Sequence, residues 1–72
     1  MNNILTEREL EVLKLVLEGK TNKEIANVLY VSYHTVKAHI SSIMHKIGCT
    51  SRVSLAVKTL RSGYVDVDNL RN

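Results

Sequence analysis

A predicted helix near the middle of the chain carries four side chains suited to contact with the edges of nucleic-acid bases. If Val36 marks the centre of its buried stripe, a step of about 100° per residue places His34, Ala38 and Ser41 on the opposite side, with Lys37 at the margin. Lys37 can donate to guanine O6 and N7, Ser41 can donate or accept, and Ala38 can pack on a thymine methyl. These four residues are therefore candidate base readers in the major groove of duplex DNA.

A second set of side chains is suited to the phosphate backbone. The free amides at a helix start carry the positive end of the helix dipole, and hydroxyl, amide and cationic side chains beside them can bind phosphate oxygens. The candidate phosphate contacts are Thr21, Asn22, Lys23, Thr35, His39 and Arg52.

The titratable residues do not form a pattern typical of an enzyme or a metal site. His34 and His45 lie about 16 Å apart along the predicted helix, and His39 is about 140° around the axis from His34. Three histidines so placed cannot converge on one ion. Cys49 has no base in a suitable sequence context to activate it as a nucleophile. We expect no catalysis, no metal and no cofactor.

Four helices must position these side chains, and each has start and stop signals. Capping boxes of the form Thr-x-x-Glu begin at Thr6 and Thr21, and Ser32 and Ser51 are the expected N-caps of the third and fourth helices. Glycines that can end the first, third and fourth helices in the left-handed conformation are Gly19, Gly48 and Gly63.

Apolar residues recur along these helices at helical spacing. The stripe of the third helix is Val36, Ile40, Ile43 and Ile47, and the expected inner residues of the second are Ile25, Ala26, Val28 and Leu29. The pattern predicts an all-α fold, a compact four-helix domain containing a helix-turn-helix at about residues 22–41. We expect a single domain over residues 1–72 with its core at about 4–65. Tyr64 and Val65 are expected to fold back onto the core, with residues 66–72 fraying and a strand conceivable only at 64–67.

Positive charge is unevenly distributed along the chain. Of a net charge of +3 over 72 residues, residues 20–46 hold four lysines against one glutamate, whereas residues 1–19 hold more acidic than basic side chains. This distribution favours a polyanionic partner, although ordinary solvated helix faces would look similar. The single cysteine, the lack of a secretory signal pattern at Met1-Asn2-Asn3 and the short apolar runs predict a cytoplasmic location without membrane contact.

Four motifs in order give the chain a specific resemblance. The segments LTERELEVL (5–13), GKTNKEIA (19–26), VSYHTVKAH (31–39) and KIG (46–48) resemble the LuxR-type helix-turn-helix domain of bacterial transcription regulators, over about residues 4–64. This domain is the C-terminal DNA-binding part of quorum-sensing regulators and of NarL/FixJ-type response regulators of two-component systems. In GerE-like proteins it stands alone, so the chain is expected to be a stand-alone regulator or a C-terminal effector domain.

The resemblance implies roles at matching positions. It implies base reading by Lys37, Ala38 and Ser41, and phosphate contacts near the start of the second helix and at Thr35, with a weaker transfer to Arg52. Some family members carry a lysine where this chain has Ser41, so the base preference there stays open. Tyr33 and His34 occupy variable positions of the family.

The fourth helix is expected to form the interface of a dimer. Its candidate dimer surface consists of Val53, Val57, Leu60 and Arg61. The third helix of each protomer would then enter the major groove, with the two helices about 34 Å apart on an inverted repeat of nucleoid DNA. Closure of the core is the alternative role of this helix, and RNA polymerase is an open candidate partner.

Two other functional classes share part of this pattern. A sigma-factor region-4-like module also opens with an LTERE-type helix, but the short G-K-T link and the capped fourth helix argue against it. A protein-docking helical module would need an apolar outer face on the third helix, whereas the predicted outer face is polar and basic.

Overall fold

Four helices surround one apolar core in the computed structural model, which describes residues 5–63. They are α1 (Glu7–Leu17), α2 (Asn22–Leu29), α3 (Tyr33–Ile47) and α4 (Arg52–Ser62). Because this described part contains no strand, the predicted all-α fold is confirmed. The predictions for the segment from Tyr64 onward, including the fold-back, the possible strand and the frayed tail, lie outside the described residues. No helix within 5–63 has the length and apolarity needed to cross a bilayer.

The helix starts form as their sequences predict. Thr6 donates its amide to Glu9 Oε1 at 2.9 Å, and the Glu9 amide donates to Thr6 Oγ1 at 3.1 Å. The same reciprocal pair forms between Thr21 and Glu24. Ser51 caps α4 in a similar box with a serine at the third helical position, a variant that the Thr-x-x-Glu pattern does not cover. Each box satisfies amides that have no partner inside the helix.

The turn between α2 and α3 is made without glycine. Tyr30 ends α2 in the left-handed conformation at φ 57° and ψ 43°, and its side chain is 95% exposed. A residue with a Cβ adopts this conformation at a cost of about 1–2 kcal/mol. The turn is held by the amides of Tyr30 and Val31, both of which donate to the carbonyl of Ala26. This bond pair fixes where α3 begins.

The centre of the core is the apolar stripe of α3. Helix α3 packs against α1, α2 and α4, and α1 also packs against α2. The predicted stripe is buried at every position: Val36, Ile40, Ile43 and Ile47. Fully buried partners come from each of the other three helices, among them Leu13, Ile25 and Leu55. The stripe therefore sets the orientation of α3 about its own axis.

The prediction that Val28 is an inner residue of α2 is wrong. Ile25 and Ala26 are buried and Leu29 is half-buried, whereas Val28 is 51% exposed. At about 100° per residue, Val28 lies about 200° from Ala26 and cannot share its face. The helix has only eight residues, and its fully buried positions are Ile25 and Ala26.

A buried carboxylate joins α1 to the second half of α3. Glu9 Oε1 accepts from Lys46 Nζ at 2.8 Å as well as from the Thr6 amide, and Oε2 accepts from Ser42 Oγ at 2.8 Å. Burial alone raises the pKa of this carboxyl. The hydrogen bonds from Lys46, Thr6 and Ser42 and the charge of Lys46 outweigh it and lower the pKa from 4.5 to about 2. Glu9 is thus a cap and a tertiary contact at once.

Replacing Glu9 tests this double role through pH. Because the folded pKa is about 2 and the ordinary value is 4.5, the stabilisation is complete above about pH 4.5 and disappears as pH falls towards 2. We expect Glu9→Gln to lower the free energy of unfolding by about 1–3 kcal/mol at pH 7, and by progressively less in the acid range. Urea unfolding followed by circular dichroism from pH 7 to pH 2.5 measures this difference.

Glu11→Gln is the matched control, because Glu11 lies on the exposed side of the same helix and pairs only with Arg8 within the described residues. Its effect should stay within about 0.5 kcal/mol at all pH values. A Glu9→Gln deficit that does not change with pH would contradict the ion-pair role.

Candidate nucleic-acid interface

The outer face of α3 presents the four predicted base readers together. His34, Lys37, Ala38 and Ser41 are all exposed. His34, Ala38 and Ser41 lie opposite the buried Val36, and Lys37 lies at the margin of this face. Helix α3 contains no aspartate or glutamate, so no carboxylate on the helix competes for Lys37. The side chain of Ala38 is small, which permits close approach of this face to a flat surface such as a base-pair edge.

The start of α3 is held by a serine cap. Ser32 Oγ accepts from the Thr35 amide at 3.0 Å and lies 2.9 Å from Thr35 Oγ1. Thr35 and His39 are half-buried on the flank of the exposed face. These two predicted phosphate contacts therefore border the base-reading face and do not lie on it.

An open cleft of about 660 Å³ lies at the start of α2. It is lined by residues 19–23, Tyr33 and Arg52, and three of these carry positive charge: Lys20, Lys23 and Arg52. The nearby Glu24 offsets one of these three charges, because its carboxylate stays ionised while it accepts from the Thr21 amide at 2.8 Å. The pKa of Glu24 is lowered mainly by that bond. A cationic cleft at a helix start is suited to an anion.

Arg52 and Asn22, both predicted phosphate contacts, are bound to each other. Arg52 Nη1 donates to Asn22 Oδ1 at 2.7 Å, and Nη2 donates to the Lys20 carbonyl at 2.5 Å. The guanidinium has five N–H donors, so three remain beyond these two bonds. The amide nitrogen of Asn22 likewise remains as a donor. The start of α4 is thereby fastened to the loop before α2.

The predicted dimer residues share one exposed stripe of α4. Val53 is 75% exposed, Val57 48% and Leu60 40%, and Arg61 follows in the last turn. A shallow cleft of about 490 Å³ lies along this stripe, bordered by Val57, Lys58 and Arg61. The opposite side of α4 faces the core with Leu55 and Thr59. The helix therefore closes the core and also exposes apolar side chains.

Two contacts of this region were not predicted from the sequence. The bond between Arg52 and Asn22 joins residues 30 apart, and nothing in either neighbourhood indicates it. Lys37 Nζ lies 5.7 Å from the centroid of the Tyr33 ring. The spacing of four residues between an aromatic side chain and a lysine on one helix could have indicated this second contact.

The histidines do not meet at a metal site. Within residues 5–63, no three His, Cys, Asp or Glu side chains are arranged to hold a metal ion. His34 and His45 are exposed and His39 is half-buried, each at a different height along α3. Cys49 is half-buried beside the Met44 carbonyl, at 3.8 Å.

Comparison with known proteins identifies related sequences. The model of the luxR family of bacterial regulatory proteins (GerE) matches residues 3–59. The spore germination protein GerE of Bacillus subtilis is 44% identical over 64 residues, which are 89% of this chain and 86% of GerE. The transcriptional regulatory proteins DegU of Brevibacillus brevis and LiaR of Bacillus subtilis are 42% and 47% identical over 90% and 86% of this chain. The chain spans only 28% of DegU and 29% of LiaR.

Solved structures show the same fold within longer chains. The response regulator ChrA of a heme-sensing two-component system superimposes with a TM-score of 0.83 at 28% identity, over 90% of this chain and 32% of ChrA. VqmA of Vibrio cholera, in a complex with ligand and DNA, superimposes with a TM-score of 0.82 at 33% identity, over 100% of this chain and 33% of VqmA.

The fastening of α4 to the α2 start can be tested by substitution. A lysine at position 52 lacks the guanidinium fork and cannot reach the Asn22 side chain and the Lys20 carbonyl together. We expect Arg52→Lys to lower the free energy of unfolding by about 1 kcal/mol and Arg52→Ala by about 1–2 kcal/mol. Urea unfolding provides the measurement. Arg61→Lys, at an exposed position of the same helix, is the control and should stay within about 0.5 kcal/mol; equal effects at both positions would refute the fastening role.

Proposed function

Because the chain belongs to the luxR family of bacterial regulatory proteins, we propose that it regulates transcription by binding duplex DNA at a specific sequence, with α3 in the major groove. The observation that carries this proposal is the exposed face of α3, which is free of acidic residues and presents Lys37, Ala38, Ser41 and His34 together. Lysine and serine can bond to base edges, and the alanine can contact a thymine methyl.

Phosphate contacts would fix the register of α3 on the duplex. Lys23, Thr21 and the free donors of Arg52 and Asn22 border the cleft at the start of α2. Thr35 and His39 border α3 on its flank. With α3 in the groove, these two groups would lie over neighbouring phosphates and hold the helix between them.

We propose a dimer on an inverted repeat as the form that binds. Support comes from the stripe of α4, where Val53, Val57 and Leu60 are exposed beside Arg61. A twofold axis through this stripe would present two copies of α3 to the same side of the duplex, about 34 Å apart. The site of action would be cytoplasmic, on nucleoid DNA, where RNA polymerase is a candidate further partner.

We propose two alternatives for the length of the native protein. The chain matches most of GerE but less than a third of DegU and LiaR. It is therefore proposed to act either as a stand-alone regulator of GerE length or as the C-terminal effector domain of a response regulator. The intact mass of the protein in its own cells separates these two forms.

Two other functions are less well supported. A protein-docking module would bind through an apolar outer face of α3, whereas that face carries Lys37, Ser41 and two histidines. A sigma region-4-like module would have a longer link after α1 and no capped fourth helix. Here four residues separate α1 from α2, and Ser51 caps α4. No enzymatic activity is proposed.

Substitution of Lys37 tests the base-reading role. A selection from random duplexes first identifies the preferred site, and fluorescence anisotropy then gives affinities for that site and for single base-pair variants of it. We expect Lys37→Ala to cost about 1–3 kcal/mol on the selected site and to relax the preference at one base pair. Unchanged affinity and preference would remove Lys37 from the reading set.

Lys23→Ala is the matched comparison for a phosphate contact. The loss of one phosphate contact should weaken binding to all duplexes alike and reduce the slope of log K against log salt by about one unit. An anisotropy series from low to high salt gives this slope. A salt-independent affinity in the unsubstituted protein would instead favour the protein-docking module.

A further inference from the structure

We propose that Tyr33 is a positioning residue for Lys37 and thereby a determinant of DNA sequence preference. Lys37 Nζ lies 5.7 Å from the centroid of the Tyr33 ring, one helical turn away. An ammonium within about 6 Å of an aromatic face is attracted by the ring electrons. This proposal rests on the proposed function, because it concerns how one of the proposed base readers is held.

The Tyr33 ring is itself held in place. Tyr33 is the first residue of α3, directly after the Ser32 cap. Its ring meets the His34 ring edge to face, with centroids 6.0 Å apart and planes at 78°. The ring therefore has a defined orientation, although its residue is 44% exposed. Two consecutive residues of the first turn thus set the direction in which Lys37 extends.

The position of the ring also separates two parts of the interface. Tyr33 lines the cationic cleft at the start of α2, together with Lys20, Lys23 and Arg52. The Lys37 ammonium would otherwise be free to extend towards whichever phosphate is nearest. Attraction to the Tyr33 ring holds it within one turn of its own helix, at the boundary between the cleft and the outer face of α3. The ring thus restricts the ammonium to one position near the start of α3.

The physical gain is preorganisation. A lysine has a flexible four-carbon stem, and each rotamer-rich side chain that must be ordered on binding reduces affinity. The ring face occupies only one side of the ammonium, and its three N–H donors leave bonds for guanine O6 and N7. Since nonspecific binding depends on charge and not on a fixed ammonium position, the loss of the ring should affect the preferred site more than other duplexes.

A double-mutant cycle tests the coupling between the two residues. Tyr33→Leu and Tyr33→Phe are each made with Lys37 and with Lys37→Ala, and anisotropy gives affinities for the selected site and for its base-pair variants. We expect Tyr33→Leu to reduce the ratio of specific to variant affinity about two- to fivefold, the range of an exposed cation–π contact. In the Lys37→Ala background the same change should have no effect on that ratio.

Tyr33→Phe distinguishes the ring from the hydroxyl. It keeps the aromatic face and removes the hydroxyl, the only side-chain group of Tyr33 that could donate to a phosphate, so the positioning role predicts an unchanged ratio. A loss in Tyr33→Phe equal to that in Tyr33→Leu would overturn the proposal in favour of a phosphate contact. A higher affinity of Tyr33→Leu for the selected site would overturn it too, because the ring would then compete with DNA for the ammonium.

A measurement without DNA separates this proposal from the proposed function. The ε-CH₂ protons of Lys37 should show an upfield ring-current shift in the NMR spectrum of the free chain. The shift should persist in Tyr33→Phe and vanish in Tyr33→Leu. An ordinary lysine shift in the unsubstituted chain would refute the positioning role whatever the DNA results. If the shift is present but Lys37→Ala leaves base preference unchanged, the base-reading function of Lys37 fails while the contact itself stands.

Discussion

Burial of the α3 stripe is the constraint on which the other features depend. Val36, Ile40, Ile43 and Ile47 are enclosed by α1, α2 and α4, and turning α3 about its axis would expose them. Burying a side chain of this size stabilises the fold by about 1.5–3 kcal/mol, so the orientation of the helix is strongly determined. The face opposite the stripe must then be exposed along its length. The candidate reading face is a consequence of the core.

Polar contacts at the helix starts add precision that the core alone lacks. Glu9 joins the first turn of α1 to Ser42 and Lys46 of α3, and the low pKa of its carboxyl reflects how fully it is hydrogen-bonded. Arg52 joins α4 to the loop before α2. The two contacts link α1 to α3 and α4 to the start of α2. Since hydrogen bonds that involve a charged group depend on geometry more than apolar packing does, the first contact fixes α1 against α3 and the second fixes the two sides of the cationic cleft against each other.

Much of the fold could be predicted because its signals are local. The caps at Thr6, Thr21, Ser32 and Ser51 each act within one helical turn, and the structure confirms all four as helix starts. The error at Val28 arose because a short helix has several plausible inner faces, and only its neighbours decide which is filled. The left-handed Tyr30 could not be predicted by residue type, since the bonds to the Ala26 carbonyl, not a glycine, determine that turn.

The sequence by itself determined the four helices, the buried stripe and the residues that share the outer face of α3. These follow from spacing and capping, which act between residues no more than about four apart. Only the tertiary structure decided that Glu9 binds Lys46, that Arg52 binds Asn22, and that Tyr33 lies between the cleft and Lys37. The first two pairs are 37 and 30 residues apart. Their contact depends on how whole helices pack, because no periodicity along the chain encodes which exposed ends will meet.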